Sequence, residues 1–299
     1  MFRLLTISDR GVRINADSGR LAVQNSAQEQ TQFISLEDLD AVILEESAVS
    51  ITGCALELLS ATRIPVIFCN RKHLPSAVLN PVISNGADSH NMLRLQADSA
   101  KPWRKQLWQK LIKRKIAAQS ANLIRMGKSG LDYLLPRVRS GDPDNIEARA
   151  AASYWAELDF FPARKRDAQD ANQLFNYAYT ILYSAFARYL CAAALNPDIG
   201  IHHHSQYNHF SLASDLMEPF RPLIDRSVFQ FMKQFPDIFK VQRDSRIKMI
   251  EIIYSTHVVM DRKRWSLLDS VNLAVHSYKQ CLKNRSTDIL LPEVNSCGL

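Results

Sequence analysis

The chain has 299 residues, 46% of them hydrophobic, and sets 37 basic against 30 acidic side chains for a formal net charge of +7. That length and apolar content allow one large core or two modest ones, and the basic excess is moderate enough that its distribution matters more than its total. Five scattered cysteines (Cys54, Cys69, Cys191, Cys281, Cys297) without a CxxC pair argue against a disulfide framework or structural zinc site, and the lack of a signal-peptide h-region or a bilayer-length apolar run predicts a cytoplasmic protein with no membrane partner.

Residues 1–80 are written as short strand-like pieces. Phe2–Ile7, Val12–Ala16, Leu21–Gln24 and Thr31–Ile34 are separated by Gly, Asn, Asp and Ser, the residues of tight turns. Ser35-Leu36-Glu37-Asp38 carries a capping pattern, Ala41–Leu44 suits a buried strand, and Gly53–Arg63 reads as an amphipathic helix. Ile64–Cys69 and Ser76–Asn80 return to strand. His73, between Lys72 and Leu74, reads as a solvated loop residue, and Cys54, Cys69 and Cys191 as small core residues. The polar, turn-rich stretch 81–91 suits a hinge. Beyond it the period becomes helical: Trp103, Leu107, Leu111 and Ile112, then Ile116, Ala117, Ser120 and Ile124, recur at steps of three or four. An Ala-rich helix around Glu147, a long one over Asn172–Leu195, and helices over Val228–Phe235, Arg246–Tyr254 and Trp265–Lys283 follow. The expected architecture is α+β: a small β-rich N-terminal domain (1–80) facing a dimer mate or partner, a hinge (81–91), a larger α-helical catalytic domain (92–283) and a flexible tail (284–299).

The segment from Lys101 to Lys115 holds seven positive residues, Lys101, Arg104, Lys105, Lys110, Lys113, Arg114 and Lys115, and no acid. An ordinary solvated helix face normally mixes signs, so a one-sign face with Trp103 and Trp108 interleaved suggests a phosphate backbone as partner. Arg137 and Arg139, Arg164-Lys165-Arg166, and later Arg243, Arg246, Lys248, Arg262, Lys263 and Arg264 add positive charge. No helix-turn-helix or zinc-finger signature accompanies them, which favours sequence-tolerant contacts.

Metal-capable side chains are densest at 200–221. His202, His203 and His204 are followed by Asp215 and Glu218, three residues apart and within reach of a common cation if one helical turn carries both. Imidazole plus carboxylate suits a labile divalent ion such as Mn²⁺ or Mg²⁺. Adjacent imidazoles in an extended segment alternate faces, so one is expected to be a ligand while the others meet solvent or substrate. His209, His257 and His276 read as packing or surface residues. Glu147 is either a helix N-terminal acid favoured by the dipole or a second contributor to the same site.

Four segments in order, Asn145-Ile146-Glu147-Ala148-Arg149-Ala150-Ala151-Ala152-Ser153-Tyr154-Trp155, Asn172-Gln173-Leu174-Phe175-Asn176-Tyr177-Ala178-Tyr179, Gly200-Ile201-His202-His203 and Asp215-Leu216-Met217-Glu218-Pro219-Phe220-Arg221-Pro222, resemble the CRISPR-associated integrase that inserts new spacers, the catalytic subunit of the adaptation complex. The Glu-Pro-Phe-Arg-Pro string and the Asn-His-Phe-Ser-Leu-Ala linker before it look most like type II systems, and the resemblance covers essentially the whole chain.

The resemblance implies a metal-dependent DNA endonuclease and integrase, of the hydrolase class, in which a DNA 3′-hydroxyl attacks a phosphodiester of the repeat. It implies a Mg²⁺ or Mn²⁺ site of Glu147, His203 and Glu218, with Asp215 as an assisting acid. In the family motif the histidine lies three residues after the glycine and fifteen before the last acid, so the resemblance to Gly200 and Glu218 implies His203; many relatives have aspartate at the last position. The implied partners are DNA (spacer precursor and repeat array), a second copy of the chain in a homodimer, and a small ferredoxin-like protein bridging two dimers. Two other readings stand beside it: a metal-dependent nuclease acting on branched or repair DNA, and a non-catalytic DNA-binding scaffold.

Overall fold

The structure, a computed structural model, describes residues 4–25, 30–39, 41–62, 64–71, 74–79, 86–158, 172–205, 207–236 and 243–294, of which 4, 38, 86–90 and 243–247 are described by their backbone alone. The fold is α+β, and the chain forms two compact units: Met1–Asp98 with Ala187–Pro197, and Ser99–Phe186 with Asp198–Leu299.

The first unit holds two four-stranded sheets. In one, β2 (Val12–Asp17), β3 (Arg20–Asn25) and β4 (Gln30–Ile34) run antiparallel, and β6 (Ser50–Ile51) joins β2 in parallel. Ser18 and Gly19, both at positive φ, make the two-residue turn between β2 and β3, whose twist matches that of the strands. The other sheet has the order β1 (Leu4–Ile7), β5 (Ala41–Leu44), β7 (Val66–Cys69), β8 (Pro75–Leu79), parallel except for the last pair. Parallel neighbours need a crossover. The β2–β4 hairpins supply it between β1 and β5, and α1 (Gly53–Ala61) between β5 and β7. Every residue of β5 is buried, as an unbroken apolar run on a central parallel strand should be. Ile14, Leu21, Val42, Leu59 and Val66 belong to one apolar core.

Several expectations change. Ser35 precedes a short 3-10 turn (Leu36–Asp38) but makes no side-chain cap. Cys54 is exposed at the start of α1, whereas Cys69 and Cys191 are partly buried against Ala41, Ile43, Ile67 and Ala192. The expected hinge is helical in its second part: α2 (Gly86–Ala97) begins within it, and the first unit continues to Asp98. Gln96 explains the extension, since its amide donates to Asn196 O and accepts from Asn196 N, tying two stretches of the first unit. Lys72, His73, residues 81–85, Arg164-Lys165-Arg166 and Cys297 lie outside the described residues, and no side chain is described for Arg243 or Arg246.

The second unit is built on α3 (Lys101–Arg125), whose buried stripe runs Leu107, Trp108, Leu111, Ile112, Lys115, Ile116, Gln119 and Leu123. Around it come a 3-10 turn (Asp132–Arg137), α4 (Ile146–Ala156), the first part of α5 (Asn172–Ala192), α6 (Ser211–Leu216), a second 3-10 turn (Glu218–Phe220), α7 (Arg221–Gln234) and α8 (Arg243–Ser255). The helix expected to begin at Trp265 starts later. His257–Met260 (β9) and Lys263–Ser266 (β10) form an antiparallel hairpin turned by Asp261 and Arg262, both at positive φ, and Ser266 then caps α9 (Leu267–Asn284) by accepting from Asp269 N.

The tail from Asn284 also departs from expectation, because residues 286–293 are held in place. Trp103 Nε1 and Lys110 Nζ donate to Ser286 O and Thr287 O, Leu290 N donates to Ser277 Oγ, and Glu293 N donates to Val259 O. Among the described residues no helix is long and apolar enough to cross a membrane.

Candidate active site

Three short segments meet α3 within the second unit. Glu147 opens α4, and the way α4 starts explains the residues before it. Asn145 sits in the left-handed region (φ 51°, ψ 46°), which asparagine tolerates better than most residues, and makes no side-chain cap of its own. Asp142 caps the helix instead, its two carboxylate oxygens accepting from Ile146 N and Glu147 N at 2.9 Å each. The cap fixes the first turn of the helix and with it the direction of the Glu147 side chain.

Glu218 opens the 3-10 turn between α6 and α7 and is almost fully buried. Lys115 reaches it from the apolar stripe of α3. The Lys115 ammonium donates to Glu147 Oε1 and Glu218 Oε2 at 2.6 Å each, and Arg221 Nε lies 3.0 Å from Glu218 Oε1. Burial pushes the Lys115 ammonium down, but Glu218 and Glu147 outweigh it and hold the group charged, above its ordinary value. Burial likewise pushes the Glu218 carboxyl up, and Lys115 and Arg221 pull it below its usual range. The Arg221 guanidinium lies 5.0 Å from the centroid of the Tyr179 ring, and the Tyr179 hydroxyl donates to Asp225. This extends a polar chain into the α7 interior, where Asn122 donates to Tyr154 OH and Pro222 O.

Asp215 and Glu218, three residues apart, face different protein partners. Asp215 is fully buried at the end of α6 and faces the 200–203 segment. Its Oδ2 accepts from Ile201 N at 2.6 Å and His202 N at 2.8 Å, and its Oδ1 meets His203 Nδ1. Those amides have no helix or strand to satisfy them, so the carboxylate goes to them. A β-carbon at Gly200 would lie 2.3 Å from His203 O and 2.9 Å from Asp215 Oδ2, so only glycine allows this approach. Asp215 therefore orients His203, as carboxylates commonly orient a ligating imidazole, and leaves Nε2 as its other donor atom. The hydrogen bond to Asp215 raises the His203 pKa against the opposing effect of burial, with Glu218 and Glu147 adding to the rise. His202 stacks flat on Trp108 (4.3 Å between centroids, 2° between planes), and burial and His203 hold it below its usual value. His204 is exposed, and His209 Nδ1 lies 3.2 Å from Asp198 Oδ1 at the surface.

Two carboxylates and an imidazole are a donor set suited to Mg²⁺ or Mn²⁺, and a cation, the Lys115 ammonium, already lies between Glu147 and Glu218. The chemistry of the pair fits such an ion. The arrangement is nonetheless the ammonium-bound one: among the described residues no three His, Cys, Asp or Glu side chains gather closely enough to hold a metal.

The basic stripe is divided by its surroundings. Lys115 leaves the exposed face altogether, because position 115 falls in the buried stripe. Lys110 pairs with Asp288 at 3.1 Å, and Arg139 makes a double contact with Asp144. Lys113 and Arg114 line a groove of about 940 Å³ with Leu135, Pro136 and Leu291. Arg104 is partly exposed; Lys101, Lys105 and Arg137 are exposed, with Arg137 over the Tyr133 ring. Trp103 and Trp108 face protein partners. Lys115 is the functional candidate that charge reasoning misplaced. The available signal was its place in the apolar period of α3 between Leu111–Ile112 and Ile116–Gln119.

A family profile for the CRISPR associated protein Cas1 matches residues 5–243. The chain is 30% identical over 303 residues to the CRISPR-associated endonuclease Cas1 of Neisseria meningitidis serogroup C (strain 8013), covering 98% of this chain and 96% of that one. Its fold is similar to that of a casposase bound to its integration product (TM-score 0.74, 18% identity, 96% and 97% of the two chains). It is also similar to a chain of a partial Cas6-RT-Cas1–Cas2 complex (TM-score 0.71, 20% identity, 96% and 97%).

Proposed function

The chain belongs to the CRISPR-associated Cas1 family, and from that premise we propose that it is a metal-dependent DNA endonuclease and integrase that inserts short DNA fragments into a CRISPR repeat array. The reaction is a transesterification. The 3′-hydroxyl of the incoming strand forms a new phosphodiester with a repeat phosphate, and the bond from that phosphate to its former 3′-oxygen breaks. The observation that carries this reading is the cation-bridged pair Glu147 and Glu218 beside the Asp215-oriented His203.

Glu147 and Glu218 would hold a Mg²⁺ or Mn²⁺ ion, with His203 Nε2 as the nitrogen donor. When bound, the ion supplies Lewis-acid polarisation of the phosphoryl oxygen. Asp142 aims Glu147, Arg221 holds the second oxygen of Glu218, and Asp215 fixes the His203 ring. Lys101, Arg104, Lys105 and Arg137 would meet phosphates without reading bases. The family supports a cytoplasmic homodimer bridged by a small ferredoxin-like adaptation protein. The fold shared with a chain from a Cas1–Cas2 complex is consistent with such an assembly.

The test uses labelled duplex with 3′-hydroxyl or 3′-deoxy ends and a supercoiled plasmid carrying a leader and repeat. Covalent joining that needs both the 3′-hydroxyl and added Mg²⁺ or Mn²⁺, and that stops on chelation, is expected. Cleavage of branched DNA without joining would leave the repair-nuclease reading; binding with neither reaction would leave the scaffold.

A further inference from the structure

Lys115 is an unusual occupant of a helix stripe otherwise made of Leu107, Trp108, Leu111, Ile112 and Ile116. Its side chain is 7% exposed, and both of its described partners are site carboxylates, each at 2.6 Å. An ammonium does not stay buried without such partners, and two carboxylates brought this close do not stay ionised without a cation between them. Glu147 and Glu218 are balanced by Lys115 and Arg221, so the cluster is neutral as it stands.

We propose that Lys115 is the resident counter-cation of this site, a latch that holds Glu147 and Glu218 together in the metal-free protein and that a divalent ion must displace to bind them. The proposal rests on the reading of Glu147 and Glu218 as a cation site. Three features support it. The ammonium takes one oxygen from each glutamate, the bridging position a cation would claim. Arg221 lies 3.0 Å from the other oxygen of Glu218, so an incoming ion approaches a carboxylate whose two oxygens already face cations, and it meets Lys115 as a like charge. Lys115 also stands on the rigid middle of a 25-residue helix, so its main chain stays in place while its long, flexible side chain supplies the movement. The latch keeps the pair aligned in the absence of metal and makes loading a competition, so the site binds its ion less tightly than its donor set alone would.

Mn²⁺ binding to the full chain, stripped of metal, tests this through loss of the free-ion electron paramagnetic resonance signal, independently of activity. Wild type is compared with Lys115→Met and with Lys113→Met, which removes the same charge from the other side of α3. Lys115→Met is expected to bind Mn²⁺ about tenfold more tightly or better, an effect set by removal of one nearby like charge. It should also melt at a lower temperature without metal and recover more on adding Mn²⁺ than wild type does. Lys113→Met should match wild type. An unchanged or weaker affinity in Lys115→Met overturns the latch.

Should that variant not fold, wild type alone decides. Acylation of Lys115, followed by mass spectrometry, should be slow without metal and at least about threefold faster with saturating Mg²⁺, because a displaced side chain loses its cage. Equal protection overturns the proposal. Wild type that binds no Mn²⁺, or binds it equally well as Glu218→Gln, would sink the metal-site reading itself, a different outcome from failure of the latch.

Discussion

The two units bury different things. The first buries aliphatic side chains, with Ile14, Leu21, Val42, Leu59 and Val66 at its centre, and its largely buried described ion pair joins Arg188 to Glu45. The second threads charge through its interior: Lys115, Glu218, Asp215 and Asp225 are all buried there. Burying an ion costs several kcal/mol unless partners offset it, and a hydrophobic replacement is often no less stable. A core built for stability alone resembles the first; the second keeps its charges where chemistry needs them.

The sharpest way to break that comparison is a pair of substitutions, one in each unit. Glu218→Gln should lower strand transfer per folded molecule by about 100-fold or more while DNA affinity moves little, since loss of even a supporting partner of a metal ligand costs about 10–100-fold. It also leaves Lys115 and Arg221 short of a buried partner, so the melting temperature should fall as well. Ile14→Ala should lower stability alone. It removes a fully buried side chain paired with Val23 and Ile51 and should cost about 2–5 kcal/mol, read by denaturant unfolding, with strand transfer per folded molecule unchanged at about 20 °C. If strand transfer per folded molecule falls equally in both variants, the division of labour is wrong.

A smaller effect follows from His203. Asp215 raises its pKa in the folded protein, so the stabilisation is complete below the unfolded value near 6.5 and fades as pH rises through the raised value. The melting temperature of metal-free protein should drift down across that window, and His203→Ala should remove the drift. Strand transfer should move the other way, falling as pH drops through the same window, because a ligating imidazole must be neutral. A transfer rate flat from about pH 5 to 8 would remove His203 from the ligand set.

The smallest effect concerns the exposed basic residues. Neutralising Lys101, Lys105 and Arg137 together should flatten the log-affinity against log-salt line by about 0.9 for each phosphate they no longer neutralise. An unchanged slope would assign them to solvent.

Local signals predicted local structure well. The strands of the first unit were legible because Gly11, Ser18 and Gly19 punctuate them, and Ala41–Leu44 because an unbroken apolar run has few other uses. Their pairing was not, since β1 meets β5 and β5 meets β7 across intervening elements, and no local pattern encodes which strand lies beside which. The β9–β10 hairpin was missed because Arg262-Lys263-Arg264 reads as charge before it reads as a turn. At the site, the segments carrying Glu147, His203 and Glu218 stood out as a resemblance. Lys115 did not, because seven like charges in fifteen residues suggest one common face, whereas helical geometry turns one of them inward. Asp215 was read as an assisting acid, and its contact with His203 suits that role; its hold on the 201–203 amides was not legible, because spacing alone does not say which amides a fold leaves unsatisfied.

The grip of Asp215 on the 200–203 segment has a wider meaning. Three successive N–H groups at residues 201–203 converge on one carboxylate, with Gly200 clearing the space, so the segment is an anion nest whose guest is tethered to the same chain. The shape of the His202–His203 turn is thus a host–guest complex within one molecule, specified by a receptor and its ligand and not by a ladder of backbone bonds. Emptied by Asp215→Gly, the nest would remain a host of carboxylate size, open to formate or acetate from solution, and the guest would then set the direction of His203 from outside the chain.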